Sequence, residues 1–335
     1  MYAPIQTKPA DANRLVTACT SSTRFARTIH DHSRRRAQLT QSDVTTPTES
    51  AKGVSNQDIM AVVVSYNGIA TIQDTVRALV GQVGHVYVVD NGSSEETKNI
   101  LTRLEKKKHI SAIYLADNFG IGVALNIGIE AARERGYRWL LTMDQDSLAD
   151  EHMVDAYCAA INQDPNVVCL SPTIVERRSS TTNEPVWRVT YAITSGNLVR
   201  TDVFGEIGGY DEGFFIDCID FDFSLRLRRA GHNIFRVSDA RMSHQLGLSS
   251  SVPRSIATVY SRHAPMRRYY MARNHLFLLE RYLLSFPWFT AKLTLLQALS
   301  FVLVLVLENN RVANARYMIC GMRDYLRRKK GAFAA

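Results

Sequence analysis

The segment YRWLLTMDQDSLAD (137–150) runs from large apolar side chains into two carboxylates, Asp144 and Asp146, with Gln145 between them. Residues i and i+2 of an extended chain point to the same side, so both carboxylates converge on one place. Such a pair raises its own pKa unless a cation sits between the two groups. Hard oxygen ligands at an open site suit Mg²⁺ or Mn²⁺, often shared with the phosphates of a substrate. The plainer alternative is that one aspartate caps a helix starting near Asp150 while the other is solvated. A second acidic group lies in FFIDCIDFDFSLRLRRAG (214–231), where Asp217, Asp220 and Asp222 precede a segment that turns basic. These are candidates for a general base, or for helix N-terminal caps that complement the dipole. His244, in ARMSHQLG, ends an apolar–polar alternation and is either a ligand or an ordinary core or surface histidine. RRYYMARN supplies Arg267, Arg268 and Arg273 on one helix. Guanidinium matches phosphate oxygens bidentately, and Arg273 with Asn274 is the expected phosphate-side pair, with Arg267 read as solvated surface.

The elements that must position these groups have a clear rhythm. IMAVVVSYNG (59–68), HVYVVDNGSS (85–94), SAIYLADNFG (111–120) and RWLLTMDQDS (138–147) are apolar, largely β-branched runs that stop at Asn or Asp. Helical patterns such as TIQDTVRALV and EETKNILTRLEKK lie between them, at a repeat of about 26 residues. That alternation predicts βαβ units and a parallel sheet buried on both faces. Polar residues and glycine gather at the carboxyl ends of the strands, the edge where open α/β sheets bind ligands. Two common phosphate-binding solutions are missing. SYNGIA stands where a dinucleotide fold carries GxGxxG, GIGVAL (120–125) has only two of those glycines, and no GxxxxGK[ST] occurs.

Taken in order, AVVVSYNG, VYVVDNGSS, NFGIGVALNIGI, LLTMDQDS, the segment SGNLVRTDVFGEIGGYDEGFFIDCIDFDFSLRLRRAG and SHQLG resemble the inverting nucleotide-sugar glycosyltransferases of family 2. The likeness runs from about residue 59 to 275, and DQDS, FFIDCIDFDFSLRLRRAGH and RRYYMARNHLFLLERY are most similar to its bacterial rhamnosyltransferase branch. The resemblance implies an α/β GT-A fold: a nucleotide-binding-like, mostly parallel sheet flanked by helices, with a C-terminal helical extension. It implies transfer of L-rhamnose from dTDP-rhamnose to a glycan or lipid-linked glycan acceptor, with Mg²⁺ or Mn²⁺ as cofactor. On this basis Tyr66, Asn67 and Asp90 contact the base and ribose of the donor. Asn118, Gly120 and Asn126 line its next turn, Gly120 and Gly122 letting backbone approach a ligand closely. Asp144 sits near ribose and metal, Asp146 is the principal metal ligand, and His244 lies near diphosphate and metal. Asp220 aligns with the base although Ile219 stands where many relatives have glutamate, and Asp217 is its rival. Ser195 and Gly196, in TSGN, shape the acceptor pocket or are plain turn residues. Another nucleotide sugar on UDP, or a non-catalytic nucleotide-sugar-binding scaffold, are the alternatives.

Composition frames these readings. The chain has 335 residues, is 46% hydrophobic and 21% charged, and carries a net charge of +8. Five scattered cysteines without a CxxC pair favour a reducing compartment over a disulfide framework or structural zinc. No apolar leader is visible at the start, so the expected location is the cytoplasm at the inner face of the bacterial plasma membrane. Nucleic acid is not an expected partner, because aromatic residues do not interleave with basic ones; oligomerisation stays open. Residues 1–57 lack apolar periodicity and read as a disordered arm or extension, 58–280 as the catalytic domain, and 281–335 as an apolar and basic helical tail. Leu293–Leu307 is uncharged and shorter than a span needs. The tail either lies against an anionic leaflet or packs on the domain or a second subunit.

Overall fold

The computed structural model describes residues 53–175, 184–244 and 263–334. Strand β1 (Ile59–Ser65) is buried along its whole length, as a continuous β-branched run demands when both faces are covered. Its alternate residues enter two cores. Ile59, Ala61 and Val63 face one, and Met60, Val62 and Val64 face the other. Helix α1 (Ile72–Leu79) and helix α2 (Glu95–Leu104) each bury residues along one side, Ile72, Thr75, Val76 and Leu79 in the first. Both therefore present a single apolar stripe to the sheet. Helix α3 (Ile121–Glu134) presses on β1 so closely that a Cβ on Gly128 would lie 2.4 Å from Val62 Cγ2.

Strands β2 (His85–Asp90), β3 (Ile110–Tyr114) and β4 (Trp139–Asp144) complete the parallel run that the sequence predicts, in the order β3-β2-β1-β4. Register aligns their carboxyl ends: Ser65 pairs with Asp90, Val64 with Asp144 and Asp90 with Tyr114. Beyond β4 the sheet is mixed. After β5 (Ser147–Ala149), helix α4 (Met153–Gln163), β6 (Cys169–Ile174), β7 (Val186–Val189) and β8 (Asn197–Arg200), the chain passes α5 (Val203–Ile207) and α6 (Ile219–Arg229) into β9 (Ile234–His244). β8 runs antiparallel to β4, and β9 is parallel to β6 but antiparallel to β5 and β7. The pairing of β5 with β9 places Ser147 opposite His244, which carries the histidine to the turn after β4.

Three C-terminal helices follow: α7 (Pro265–Tyr282), α8 (Pro287–Leu307) and α9 (Arg311–Leu326). They move the expected boundary at residue 280. α9 lies along α7, where a Cβ on Gly321 would sit 2.4 Å from Tyr269 O and the Tyr269 hydroxyl donates to Asp324 at 3.0 Å. The boundary at residue 57 moves as well. Val54 exchanges two hydrogen bonds with the Asn162 side chain, at 2.7 and 3.0 Å, so residues 53–57 belong to the folded unit. The rest of the N-terminal arm, and Gly247 of SHQLG, lie outside the described residues.

Candidate active site

The turn after β4 is bolted to the end of β1 through Gln145. Its amide accepts from the Tyr66 N–H at 2.7 Å and donates to the Tyr66 carbonyl at 3.0 Å, while Thr75 Oγ1 donates to the Gln145 backbone carbonyl at 2.7 Å. Gly68 leaves room for this side chain, since a Cβ there would meet Gln145 Oε1 at 2.3 Å. With Gln145 turned toward β1, Asp144 and Asp146 are left together. Each contributes a carboxylate oxygen, and His244 a ring nitrogen, to a group whose atoms all lie within 4.8 Å of one another. Ser147 Oγ stands 2.6 Å from His244 Nδ1 and receives a hydrogen bond from Ser195 Oγ at 2.7 Å. Ser195 Oγ also accepts from the Asp144 N–H at 3.0 Å. A histidine ring oriented by such a hydroxyl chain has the support that metal-ligating imidazoles commonly have.

The electrostatics fit a cation. Burial pushes the Asp144 carboxyl up to about 6, the Asp146 charge adds to this, and His244 and Arg267 oppose it. A divalent ion among two carboxylates and an imidazole reverses that cost, and the donor set is one that Mg²⁺ or Mn²⁺ accepts. Asp220, in the first turn of α6, is also pushed up to about 6, first by burial and then by the charges of Asp217 and Asp144. Its Oδ1 accepts from the Phe221 N–H at 2.9 Å.

The loop that delivers Asp220 is strained. Phe215, Asp217 and Cys218 have φ of 61°, 63° and 65°, a region that costs a non-glycine residue roughly 1–2 kcal/mol. α7 holds it there. The Asn274 amide donates to the carbonyls of Phe214, Ile216 and Asp217 at 2.7, 2.7 and 3.2 Å, and Arg273 donates to Gly213 and Phe214 at 3.2 and 3.4 Å. On the other side the Ile121 N–H donates to Phe215 O at 2.8 Å. Arg267 grips Asp217 through Nε at 3.1 Å and Nη2 at 2.9 Å.

At the ends of β1 and β2, the Asn67 N–H donates to Ser93 Oγ and Asn67 Oδ1 accepts from the Ser94 N–H, both at 2.9 Å. Asn118 Oδ1 accepts from Asn91 Nδ2 and the Gly120 N–H, both at 3.0 Å. Asp90 is buried; its Oδ2 accepts from the Ser93 N–H at 3.1 Å, while Oδ1 has no hydrogen-bond partner among the described residues. Burial raises its pKa, and an orphaned acceptor of this kind fits a donor group brought by a ligand.

Several expected site residues have another task. Arg273 is wholly buried, with further bonds to Asn274 Oδ1, the Tyr269 hydroxyl and Gly331 O, so it is a strut for the loop before α6 and is not free to meet a phosphate. Asn126 pins α3 to Tyr210 and Glu212 and does not face the donor turn. What approaches Gly120 is Phe215, whose Cα would lie 2.7 Å from an added Cβ, and Gly122 meets Asp211 in the same way. Ser195 is buried beneath the turn that carries Asp144 and Asp146, and Gly196, at φ 76°, donates its N–H to Thr142 O at 2.7 Å; neither is an acceptor-pocket surface. Asp222 is a buried ion-pair centre, bound to Arg226 Nε at 2.9 Å, to Arg281 and to the Tyr282 hydroxyl at 2.8 Å. Arg267, read as solvated surface, instead reaches the acidic cluster. Gln145 went unassigned, its one signal being its position between two residues that must point the other way, and Asn274, expected with Arg273 on the phosphate side, donates instead to the carbonyls of Phe214, Ile216 and Asp217.

The family model described as Glycosyl transferase family 2 matches residues 60–221, a span that ends just past Asp220. The dTDP-rhamnosyl transferase RfbF of Shigella flexneri is 30% identical over 247 residues, covering 68% of this chain and 81% of that protein. The chain belongs to glycosyl transferase family 2. This glycosyltransferase is also 24% identical over 148 residues to the poly-beta-1,6-N-acetyl-D-glucosamine synthase of Staphylococcus aureus, spanning 35% of that protein's length. Its GT-A fold recurs in S. aureus TarS 1-349 in complex with UDP-GlcNAc, at TM-score 0.53 and 16% identity over 80% of each chain. It recurs in the mannosyltransferase PcManGT of Pyrobaculum calidifontis in complex with GDP-Man and Mn²⁺, at TM-score 0.50 and 15% identity over 91% of this chain and 94% of that one.

Proposed function

We propose that this glycosyltransferase inverts the anomeric centre of L-rhamnose as it moves the sugar from dTDP-rhamnose to a glycan hydroxyl. The acceptor in this reading is a growing, lipid-linked polysaccharide or lipopolysaccharide glycan at the cytoplasmic face of the bacterial plasma membrane. The observation that supports it is the convergence of Asp144, Asp146 and His244 beside a raised-pKa carboxyl at Asp220, in a chain 30% identical to a dTDP-rhamnosyl transferase.

Asp220 takes the proton from the acceptor hydroxyl as that oxygen bonds to the anomeric carbon, on the face opposite the departing nucleoside diphosphate. A carboxyl pushed up to about 6 is ionised at neutral pH and a better base than an ordinary aspartate. Asp144, Asp146 and His244 hold Mg²⁺ or Mn²⁺, which neutralises charge on the leaving diphosphate. Asp90 offers its unpartnered oxygen to the base or ribose, and Tyr66, Asn67 and Asn118 form the rim of that cleft. Arg267 fixes Asp217 and keeps a positive charge near the acidic cluster.

The test is binding by the purified chain of a panel of dTDP- and UDP-sugars with Mg²⁺ or Mn²⁺, alongside Asp146→Ala. Selective, metal-dependent binding of dTDP-rhamnose that disappears in the variant supports the reading. Preference for a UDP-sugar overturns the donor, and failure of folded protein to bind any nucleotide sugar overturns the enzyme reading itself.

A further inference from the structure

Helix α8 is amphipathic in the inverted sense. Its uncharged polar residues turn toward the protein: Thr290 and Ser300 are buried, and Thr294 Oγ1 lies 3.0 Å from His275 Nε2. Its outward residues are Trp288, Leu295, Leu299, Val302 and Val306, all exposed, Trp288 to 89%. Their spacing of seven, four, three and four puts them on one face, which also carries the exposed Lys292, a side chain long enough to extend its ammonium away from the apolar surface. A water-facing helix has the opposite arrangement, and an exposed apolar stripe of this length marks an interaction site.

The charges nearby identify what covers it. Residues 284–334 hold eight lysines and arginines against two acids, Glu308 and Asp324. Both acids are already paired, Glu308 with Arg268 at 2.9 Å and Asp324 with Arg323 at 3.4 Å; Arg328 and Lys330 pair with Glu280 and Asp211 outside this segment, which leaves Lys292, Arg311, Arg316 and Arg327 without an acidic partner among the described residues. A two-fold pairing of copies through this face would set like charges against each other, whereas an anionic bilayer complements them. We propose that α8 docks on an anionic phospholipid surface, lying in its plane with Trp288, Leu295, Leu299, Val302 and Val306 in the acyl boundary.

By length α8 could cross a bilayer, since 21 residues reach about 31 Å. Its attachments oppose that. A span would carry α9 to the far side, yet α9 and the residues after it are fastened to the catalytic domain. Asp324 accepts from the Tyr269 hydroxyl at 3.0 Å, the Phe333 N–H donates to the Tyr270 hydroxyl at 2.8 Å, and the Gly331 N–H donates to Gly213 O at 2.8 Å. Both ends of α8 therefore stay on one side, as in interfacial helices.

The proposal does not depend on the donor sugar, and its test reads lipid binding, not turnover. The full chain is floated with vesicles of phosphatidylglycerol and phosphatidylcholine, or of phosphatidylcholine alone. Expected are flotation with the anionic vesicles, loss of about thirtyfold or more in affinity in Arg316→Glu/Arg327→Glu, and a blue shift of tryptophan fluorescence that is lost in Trp288→Phe. Leu299→Glu/Val302→Glu abolishes flotation while metal-dependent nucleotide binding is kept. Equal binding to neutral vesicles, no flotation, or unchanged flotation of Leu299→Glu/Val302→Glu overturns the proposal. So does a concentration-dependent dimer that this variant dissociates. Membrane-bound chain that alkaline carbonate fails to release overturns the in-plane placement.

Discussion

Replacing the proposed base should stabilise the protein while abolishing its activity. Asp220 gives up its proton near pH 6 in the folded chain and near 3.8 when unfolded. Between those values the folded state carries the extra proton, so stability falls as pH rises, and the penalty is complete above pH 6. Two units correspond to about 3 kcal/mol, an upper figure because a half-buried carboxylate relaxes toward water. An asparagine in its place would carry no such penalty, and its carbonyl oxygen keeps the bond from the Phe221 N–H. Asp220→Asn should therefore unfold several degrees higher than the parent chain at pH 7.5 in chelator. The difference should shrink through pH 6 and vanish near pH 4. Transfer activity should fall by about 10²–10⁴. The assay is thermal unfolding of both proteins from pH 4 to 8, with turnover measured at pH 7.5. A variant no more stable than the parent at pH 7.5, or a difference flat across that range, would refute the account of Asp220 as a carboxylate held ionised against its environment.

Proton competition should govern metal binding. Because Asp144 is pushed up to about 6, Mn²⁺ affinity measured by calorimetry should fall by about tenfold per unit below pH 6, and Asp146→Ala should bind the ion too weakly to detect at any pH. Gln145→Ala leaves the Tyr66 N–H and carbonyl without their partner. It should cost about 1–3 kcal/mol in urea unfolding and weaken donor binding; an unaltered donor Kd would contradict the role given to that amide. Asn274→Ala removes the donor shared by three loop carbonyls. It should lower kcat by more than tenfold with donor KM little changed, because the loop carries Asp220 and not the nucleotide; a change confined to KM would count against this. Asp222→Ala strands the Arg226 charge and takes one of its two carboxylates from Arg281, which keeps Asp211, and a loss of about 3 kcal/mol should appear in urea unfolding.

What the sequence shows of this molecule follows the range of each interaction. The four parallel strands are legible because burial on both faces writes an unbroken apolar run such as AVVV, and their ends are legible because Asn and Asp interrupt it. DQD is legible as a converging carboxylate pair because extended geometry alone puts Asp144 and Asp146 on one side. The failures share another cause. Arg267 and Arg273 lie six residues apart on one helix and are the same residue type, yet one grips Asp217 at the acidic cluster while the other is buried under the loop before α6. Nothing local separates them; what does is the path of residues 213–218, bent through three positive-φ conformations by contacts with α3 and α7. A side chain that serves backbone carbonyls has no pattern of its own in the sequence, because its partners carry no residue-type signature. Asn126, Gly120 and Ser195 fall to the same argument: each stands in a motif expected to meet ligand, and each is occupied here by a neighbouring main chain. Two of the carboxylates proposed for the site are, by contrast, left largely unclaimed by the protein's own hydrogen bonds. Among the described residues, Asp146 has only the 3.8 Å contact to His244, and Asp90 keeps one oxygen unpartnered. The separation between scaffold and site is thus a matter of hydrogen-bond satisfaction, which the folded chain displays and composition does not.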